Sequence, residues 1–198
     1  MFERLFEPYL KATQKDSSCS RWTKDPLDEC LLQYLKQLVR NVTTQSEVDV
    51  VQDYEMHPDR RPKILMQTAG HVAGAVYYCQ RQDVDKMADP WDKSQKIFGV
   101  SVHPRFGGWF AFRAVLIFKG LWAPSTLVQT PPPDCVLTPE MKVEVLCRFN
   151  ECWKDWAYRD VCGEPIQERY SHKQRLYFST LPKDRTSVIE QILSGSDF

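Results

Sequence analysis

Two apolar segments, Ile97 to Val102 and Trp109 to Phe118, flank the run His103-Pro104-Arg105-Phe106-Gly107-Gly108. No other feature constrains the fold as much. Paired glycines supply the positive φ angles of a tight reversal, so the pattern predicts two strands joined as a hairpin. The second strand is apolar on both faces, with Phe110, Phe112 and Leu116 on one and Trp109, Ala111 and Val115 on the other. A strand of that kind belongs in the middle of a sheet, covered on both sides. Arg113 interrupts it, and a buried charge is costly without a partner. It must reach a carboxylate, water or an anionic ligand; Asp53, Asp155 and Asp160 are the internal candidates.

The rest of the chain reads as helices mixed with short strands. Asp25 caps a helix to about Arg40, with Pro26 in its first turn and Leu27, Leu31, Tyr34, Leu35 and Leu38 at helical spacing. Val48 to Val51 reads as a strand, Lys63 to Leu65 as a short extended piece, and Gln67 to Gln82 as a second helix. That helix carries Ala69, Gly70, Ala73 and Gly74 on one face, which suits tight helix–sheet packing or the approach of a flat ligand. The stretch 119–136 is a Pro-rich connector. Thr138-Pro139-Glu140 opens a long helix to about Asp160, Ser171 with Gln174 forms a capping box, and Asp184 to Leu193 is a last amphipathic helix. The expected class is α+β, with residues 1–198 as a single domain.

Composition removes several functions. Lys and Arg total 26 and Asp and Glu total 26, which argues against binding of nucleic acid by bulk charge, though not against a local basic site. No apolar run approaches the roughly 18 residues of a membrane span. The first eight residues contain acids and Pro8 where a signal peptide needs apolar side chains, which places the protein in the cytoplasm. The seven cysteines, at 19, 30, 79, 135, 147, 152 and 162, are then expected as thiols, and no C-x-x-C pair supports a zinc or redox centre. Nor is there a phosphate-binding glycine loop, a zinc-protease motif or a nucleophile elbow. His57, His71, His103 and His172 never fall at a metal-ligand spacing. Six Trp, eight Tyr and ten Phe suit either a dense core or a ring-lined pocket.

Three features bear on chemistry. Arg60, Arg61 and Lys63 lie in a Pro-bounded loop that is either a solvated basic loop or a holder of phosphate or carboxylate. His71, among small residues, is either a hydrogen-bonded core histidine or a ligand contact. Arg113, Arg159 and Arg185 form a set that internal carboxylates or an anionic ligand would have to neutralise.

Long ordered blocks carry a resemblance. They are Asp53-Tyr54-Glu55-Met56-His57-Pro58-Asp59-Arg60-Arg61-Pro62-Lys63-Ile64-Leu65, Gln67-Thr68-Ala69-Gly70-His71-Val72-Ala73-Gly74-Ala75, and Ala88-Asp89-Pro90-Trp91. The run His103 to Ala111, Asp155-Trp156-Ala157-Tyr158-Arg159-Asp160 and Gln167-Glu168-Arg169-Tyr170-Ser171 extend it. Over Met1 to about Arg185 the chain resembles the animal CblC family of cobalamin-processing chaperones. Members of that family carry a further N-terminal segment ahead of the position matching Met1, which the resemblance leads one to expect missing here.

The resemblance implies a fold like flavin-dependent nitroreductases: an antiparallel sheet flanked by helices, with a C-terminal helical cap. It implies an enzyme of vitamin metabolism, an oxidoreductase and transferase, that binds cobalamin base-off and removes its upper axial ligand. Cyanocobalamin would be decyanated with reduced FMN or FAD, recharged through an NADPH-dependent flavoprotein reductase. Methyl- and adenosylcobalamin would be dealkylated by glutathione. Cobalamin contacts would come from Asp53, Ile64, Leu65, Met66, Gln67, Tyr78, Cys79, Gln80, Ser101 and Phe112, with His71 positioned at the upper axial face. Arg113, Arg159 and Arg185 would bind glutathione. Cobalt is held by the corrin, so no protein side chain ligates a metal. Partners would be downstream trafficking proteins of the CblD type and methionine synthase, with no nucleic acid and no membrane, the chain itself being a monomer or a ligand-dependent homodimer. A non-catalytic cobalamin carrier or partner-binding module, and a flavin reductase without corrinoid specificity, are the alternatives.

Overall fold

The computed structural model describes residues 2–14, 25–42, 47–127 and 131–195. Cys19 and part of the Pro-rich connector, 128–130, lie outside them. The elements are α1 (Glu7–Gln14, entered through a π-helical turn over Phe2–Phe6), α2 (Pro26–Val42), β1 (Val48–Gln52), α3 (Met66–Val72), β2 (Tyr77–Cys79), β3 (Val100–Val102), β4 (Ala114–Phe118), α4 (Pro139–Cys152), α5 (His172–Ser179) and α6 (Arg185–Ser194). Helices combined with small antiparallel strand pairs agree with the α+β expectation. The chain separates into two compact units: Met1–Val50, Phe118–Gly120 and Tyr170–Phe198 form one, Val51–Ile117 and Leu121–Arg169 the other.

In the first unit, Phe2, Phe6, Leu10, Leu27, Leu31, Tyr177, Val188, Ile189 and Ile192 make a common core. No helix is expected from the sequence before Asp25, yet Phe2, Phe6 and Leu10 recur at four-residue spacing and are almost wholly buried. Asp25 caps α2 as expected, its Oδ1 accepting from the Leu27 N–H at 3.0 Å. The same carboxylate accepts from the buried Tyr177 hydroxyl at 2.9 Å and pairs with Arg185. One acid thus ties the start of α2 to α5 and α6. Burial and the neighbouring Asp25 carboxylate push the Tyr177 phenol well above its ordinary range.

The second unit is built round β2 and β3, which pair antiparallel with Tyr77 opposite Val102, Tyr78 opposite Ser101 and Cys79 opposite Val100. Its core holds Cys79, Val84, Trp91, Val100, Val102, Cys135, Val136, Val145, Leu146 and Val161. Thr138 caps α4 as expected, accepting from the Met141 N–H at 3.2 Å. Arg81 pins the segment after β2: its guanidinium donates to the Trp91 carbonyl at 2.6 Å and to the Asp92 and Gln95 carbonyls, each at 2.9 Å, while pairing with Asp89 at 2.8 Å.

Four expectations need correction. The helix expected over Gln67 to Gln82 ends at Val72, because Gly74 turns the chain with φ 72° and Tyr77 to Cys79 pair with β3 instead. The expected hairpin is closed only at its tip, where His103 and Gly107 exchange two backbone hydrogen bonds of 2.8 Å each. Beyond it, Gly108 donates to the Arg159 carbonyl at 2.8 Å, so residues 109–113 leave the ladder; β4 pairs with β1, and β3 with β2. The long helix from Thr138 stops at Cys152 rather than Asp160, since Trp156 adopts the left-handed conformation, φ 67°, between two short 3-10 turns. Lys63 to Leu65 form no strand; instead Met56 bridges Pro62 across the loop.

The acid at Asp25 yields one test. Asp25→Ala should lower stability by about 2–4 kcal/mol, since it removes a cap and strands a largely buried guanidinium. Asp25→Asn keeps a capping oxygen and should cost about half as much in urea unfolding. Equal, negligible losses for both would remove the keystone role. A second test concerns Gly70, where an added methyl would lie 2.4 Å from the Phe112 ring. A helical Gly→Ala change ordinarily gains about 1 kcal/mol, but Gly70→Ala should here lose about 1–3 kcal/mol by overpacking. Adding Phe112→Leu should recover most of that loss, and a stabilised single variant would show that the contact is loose.

Candidate functional site

Of the sequence-selected positions, Gln67, His71, Tyr78 and Phe112 meet around α3 in the second unit. Strand alternation decides which side chains of the β2–β3 pair are offered to it. Cys79, Val100 and Val102 turn into the core; Tyr78 and Ser101, opposite each other, are only partly buried. The small residues of α3 are explained by packing rather than by a flat ligand at Gly70, whose missing side chain is replaced by the edge of Phe112. Phe112 in turn meets Phe110 edge-on, centroids 5.2 Å apart. Gly99 plays the same part beneath Tyr78, whose ring lies 2.6 Å from where a Cβ would be.

Polar groups are distributed over this surface. Gln67 on α3 donates through Nε2 to the Gly99 carbonyl at 3.3 Å. His71, one turn further on, accepts the Tyr78 N–H at Nδ1, 3.0 Å away, with its ring edge-on to Tyr77 at 5.7 Å. An acceptor at Nδ1 puts the proton of the neutral imidazole on Nε2, leaving that edge as a hydrogen-bond donor. Ser101 Oγ is buried and has no hydrogen-bond partner among the described residues. A hydroxyl in that state costs roughly 1–3 kcal/mol unless something else satisfies it, so it marks a place where a polar ligand group is favoured. Leu65, 65% exposed, stands at the entrance to α3 between Ile64 and Met66.

Asp53 and Arg113 flank Phe112. The Asp53 N–H donates to the Arg113 carbonyl at 3.1 Å and the side chains pair at 3.4 Å, so one of the internal carboxylates weighed for Arg113 is the one used. Gln80 closes the end of β2: its N–H donates to Asp83 at 2.7 Å and its side chain accepts in return, a capping box. Cys79 is fully buried and its thiol is pushed up to about 12, first by desolvation and then by Asp83. It is therefore a neutral core thiol, whose only possible offering to a ligand is its backbone. Sequence reasoning passed over Gly99 and Phe110, which shape the surface; a glycine just ahead of a short strand was the available signal for the first.

The three arginines have different surroundings. Arg159 bonds the Gly108 carbonyl and its guanidinium lies 5.1 Å from the ring centroids of Trp156 and Tyr158 and 5.9 Å from that of Trp109. Arg185 belongs to the first unit, where it pairs with Asp25 and covers Tyr177 at 4.5 Å. Asp53 and Asp25 supply the countercharge for Arg113 and Arg185, so mutual repulsion does not require a bound anion at either. In the basic loop, Arg61 pairs with Asp59 at 3.3 Å and Lys63 with Glu55 at 2.7 Å. Among the described residues no group of three His, Cys, Asp or Glu side chains could hold a metal ion, and no helix is long and apolar enough to cross a membrane.

Comparison with known proteins gives this surface a context. The cyanocobalamin reductase/alkylcobalamin dealkylase of Mus musculus is 47% identical over 190 residues, 96% of this chain and 63% of its own. The Homo sapiens protein of that name gives the same identity and coverage. The chain thus spans less than two thirds of the length of these relatives. A crystal structure of a C. elegans B12-trafficking protein CblC, a human MMACHC homologue, matches with a TM-score of 0.77 and 30% identity over 98% of this chain and 75% of that one. The profile of the methylmalonic aciduria and homocystinuria type C family matches residues 1–189, which include every candidate site position, and the chain belongs to that family.

Proposed function

We propose that the protein is a cobalamin-processing enzyme that binds cobalamin base-off and removes its upper axial ligand. The observation that carries this reading is the 47% identity, across 96% of the chain, to cyanocobalamin reductase/alkylcobalamin dealkylase. The α3 surface supports it independently: a buried, unsatisfied hydroxyl and a histidine with its Nε2 donor edge stand among apolar and aromatic groups. A corrin has the matching character, an extended ring with amides at its rim. In this reading Ile64, Leu65, Met66 and Phe112 contact the ring, while Asp53, Gln67, Gln80 and Ser101 meet the amides. Tyr78 and the Cys79 backbone form the floor, and His71 holds the axial group through Nε2–H. The whole of 1–198 acts as one processing domain in the cytosol, with a nitroreductase-like architecture.

Dealkylation then needs a thiolate from outside. Attack of the glutathione sulfur on the cobalt-bound carbon forms a thioether, and the electron pair of the broken bond stays on cobalt. Arg113 and Arg159 of the second unit remain the proposed glutathione contacts, since guanidinium groups bind carboxylates through paired hydrogen bonds, whereas Arg185 of the first is paired with Asp25. Arg159, carried on an aromatic platform, has the strongest support. For decyanation the family resemblance implies reduced FMN or FAD, recharged by an NADPH-dependent reductase. In the basic loop, Arg61 and Lys63 are ion-paired with Asp59 and Glu55.

Adding the protein to methylcobalamin at neutral pH should convert the base-on absorbance spectrum to base-off, and glutathione should then remove the methyl group. Binding without turnover would leave a carrier; an unchanged spectrum with folded protein would defeat the cobalamin reading. His71 offers a finer test, because its two nitrogens have different duties. Asn at this position can still accept the Tyr78 N–H but lacks the far donor. His71→Asn should leave the unfolding midpoint nearly unchanged while weakening methylcobalamin binding about tenfold, the worth of roughly one hydrogen bond. Equal damage to folding and binding would reduce His71 to a structural residue.

A further inference from the structure

The proposed processing reaction uses none of the protein's own thiols, yet two of them are placed together. Cys135 is buried just before α4, and Cys162 is partly buried after the 3-10 turns that follow it. The Gly163 N–H donates to the Cys135 carbonyl at 2.8 Å, which lays the two segments side by side. Their thiols converge on the end of β3: Cys135 Sγ donates to the Val102 carbonyl at 3.3 Å and Cys162 Sγ to the His103 carbonyl at 3.9 Å. The two accepting carbonyls belong to consecutive residues of the chain.

We propose that Cys135 and Cys162 form a redox-active dithiol, which closes to an intramolecular disulfide by exchange with a low-molecular-weight disulfide of the oxidised-glutathione class. Exposure sets the order of events. Burial pushes the Cys135 thiol up to about 12, so it stays protonated and shielded until a partner sulfur is beside it. Cys162 is the accessible member and attacks first. Its sulfur bonds one sulfur of the incoming disulfide, the S–S bond breaks, and the departing thiolate takes up the proton that Cys162 lost. Cys135, losing its proton, then attacks the Cys162 sulfur and expels the second thiolate, which is protonated in turn. One external disulfide is reduced to two thiols and one protein disulfide is formed. Cys79, although equally buried, has no cysteine neighbour of this kind in the described structure and is not expected to join.

The test is to incubate the full chain with oxidised glutathione, trap free thiols by alkylation, and map peptides without reduction. The expected product is a Cys135–Cys162 linked peptide with a mass loss of about 2 Da and no retained glutathione. Cys135→Ser should halt the reaction at a mixed disulfide on Cys162, a gain of about 305 Da, which reduced glutathione reverses. The unsubstituted chain decides the matter even if that variant folds poorly. Linkage of either cysteine to Cys30, Cys147 or Cys152, a stable glutathione adduct on Cys162 in the unsubstituted chain, or no reaction at Cys162 would each overturn the proposal.

Discussion

The second unit depends on two glycines allowing a backbone to come close. A side chain at Gly108 would sit 2.7 Å from the Arg159 Cα, and one at Gly107 2.6 Å from the Arg159 carbonyl oxygen. Their absence lets Gly108 and Arg159 exchange hydrogen bonds. With that contact made, the Trp109 indole reaches Asp160 at 2.8 Å, the Gln167 N–H reaches the Arg105 carbonyl at 2.9 Å, and Trp109 packs on Trp156. The segment following α4 is thereby clamped to the turn that ends β3. The same clamp takes residues 109–113 out of the sheet and delivers Phe112 to α3, with Phe110 packed against it.

Charge is handled by pairing rather than by avoidance. Buried ions are tolerated when their hydrogen bonds are complete. Arg81 meets that condition with four bonds to one loop, and Asp25 meets it by serving a helix cap, a phenol and a guanidinium together. The consequence for function is subtractive. Arg185 is engaged in holding its own unit together, and Arg61 and Lys63 are paired with carboxylates of their own loop, which shifts the interest of the candidate site toward Ser101, His71 and Arg159.

Local signals in the sequence survived where they required no knowledge of tertiary partners. Asp25, Thr138 and Ser171 cap the helices they were expected to cap, because a side-chain oxygen three residues or fewer from an orphan N–H needs nothing else. Strand partners were not legible. The Gly107 turn does reverse the chain, but the path beyond it is decided by Arg159, fifty-one residues from Gly108 in sequence. Tyr77 to Cys79 read as helix because the smooth face of Ala69, Gly70 and Ala73 runs up to them; pairing with β3 and the left-handed Gly74 outweigh that periodicity. The candidate site was legible through the long sequence blocks of the family, and not through chemistry, since a serine, a histidine and scattered aromatic residues form no motif. Its orphaned hydroxyl could be found only with the structure.

The positions of the thiols bear on how the proposed dealkylation must be organised. A nucleophilic sulfur has to be ionised and exposed. The thiol next to the α3 surface, Cys79, is neither: burial pushes its pKa up to about 12, so it stays protonated at neutral pH. Strand alternation puts Cys79 on the face it shares with Val100 and Val102, in the core, and leaves Tyr78 and Ser101 on the other. A protein thiol fixed beside cobalt would also become alkylated once and stop. Keeping Cys79 in the core leaves the alkyl group to a dissociable thiol, whose thioether product can leave and make the site available for another turnover.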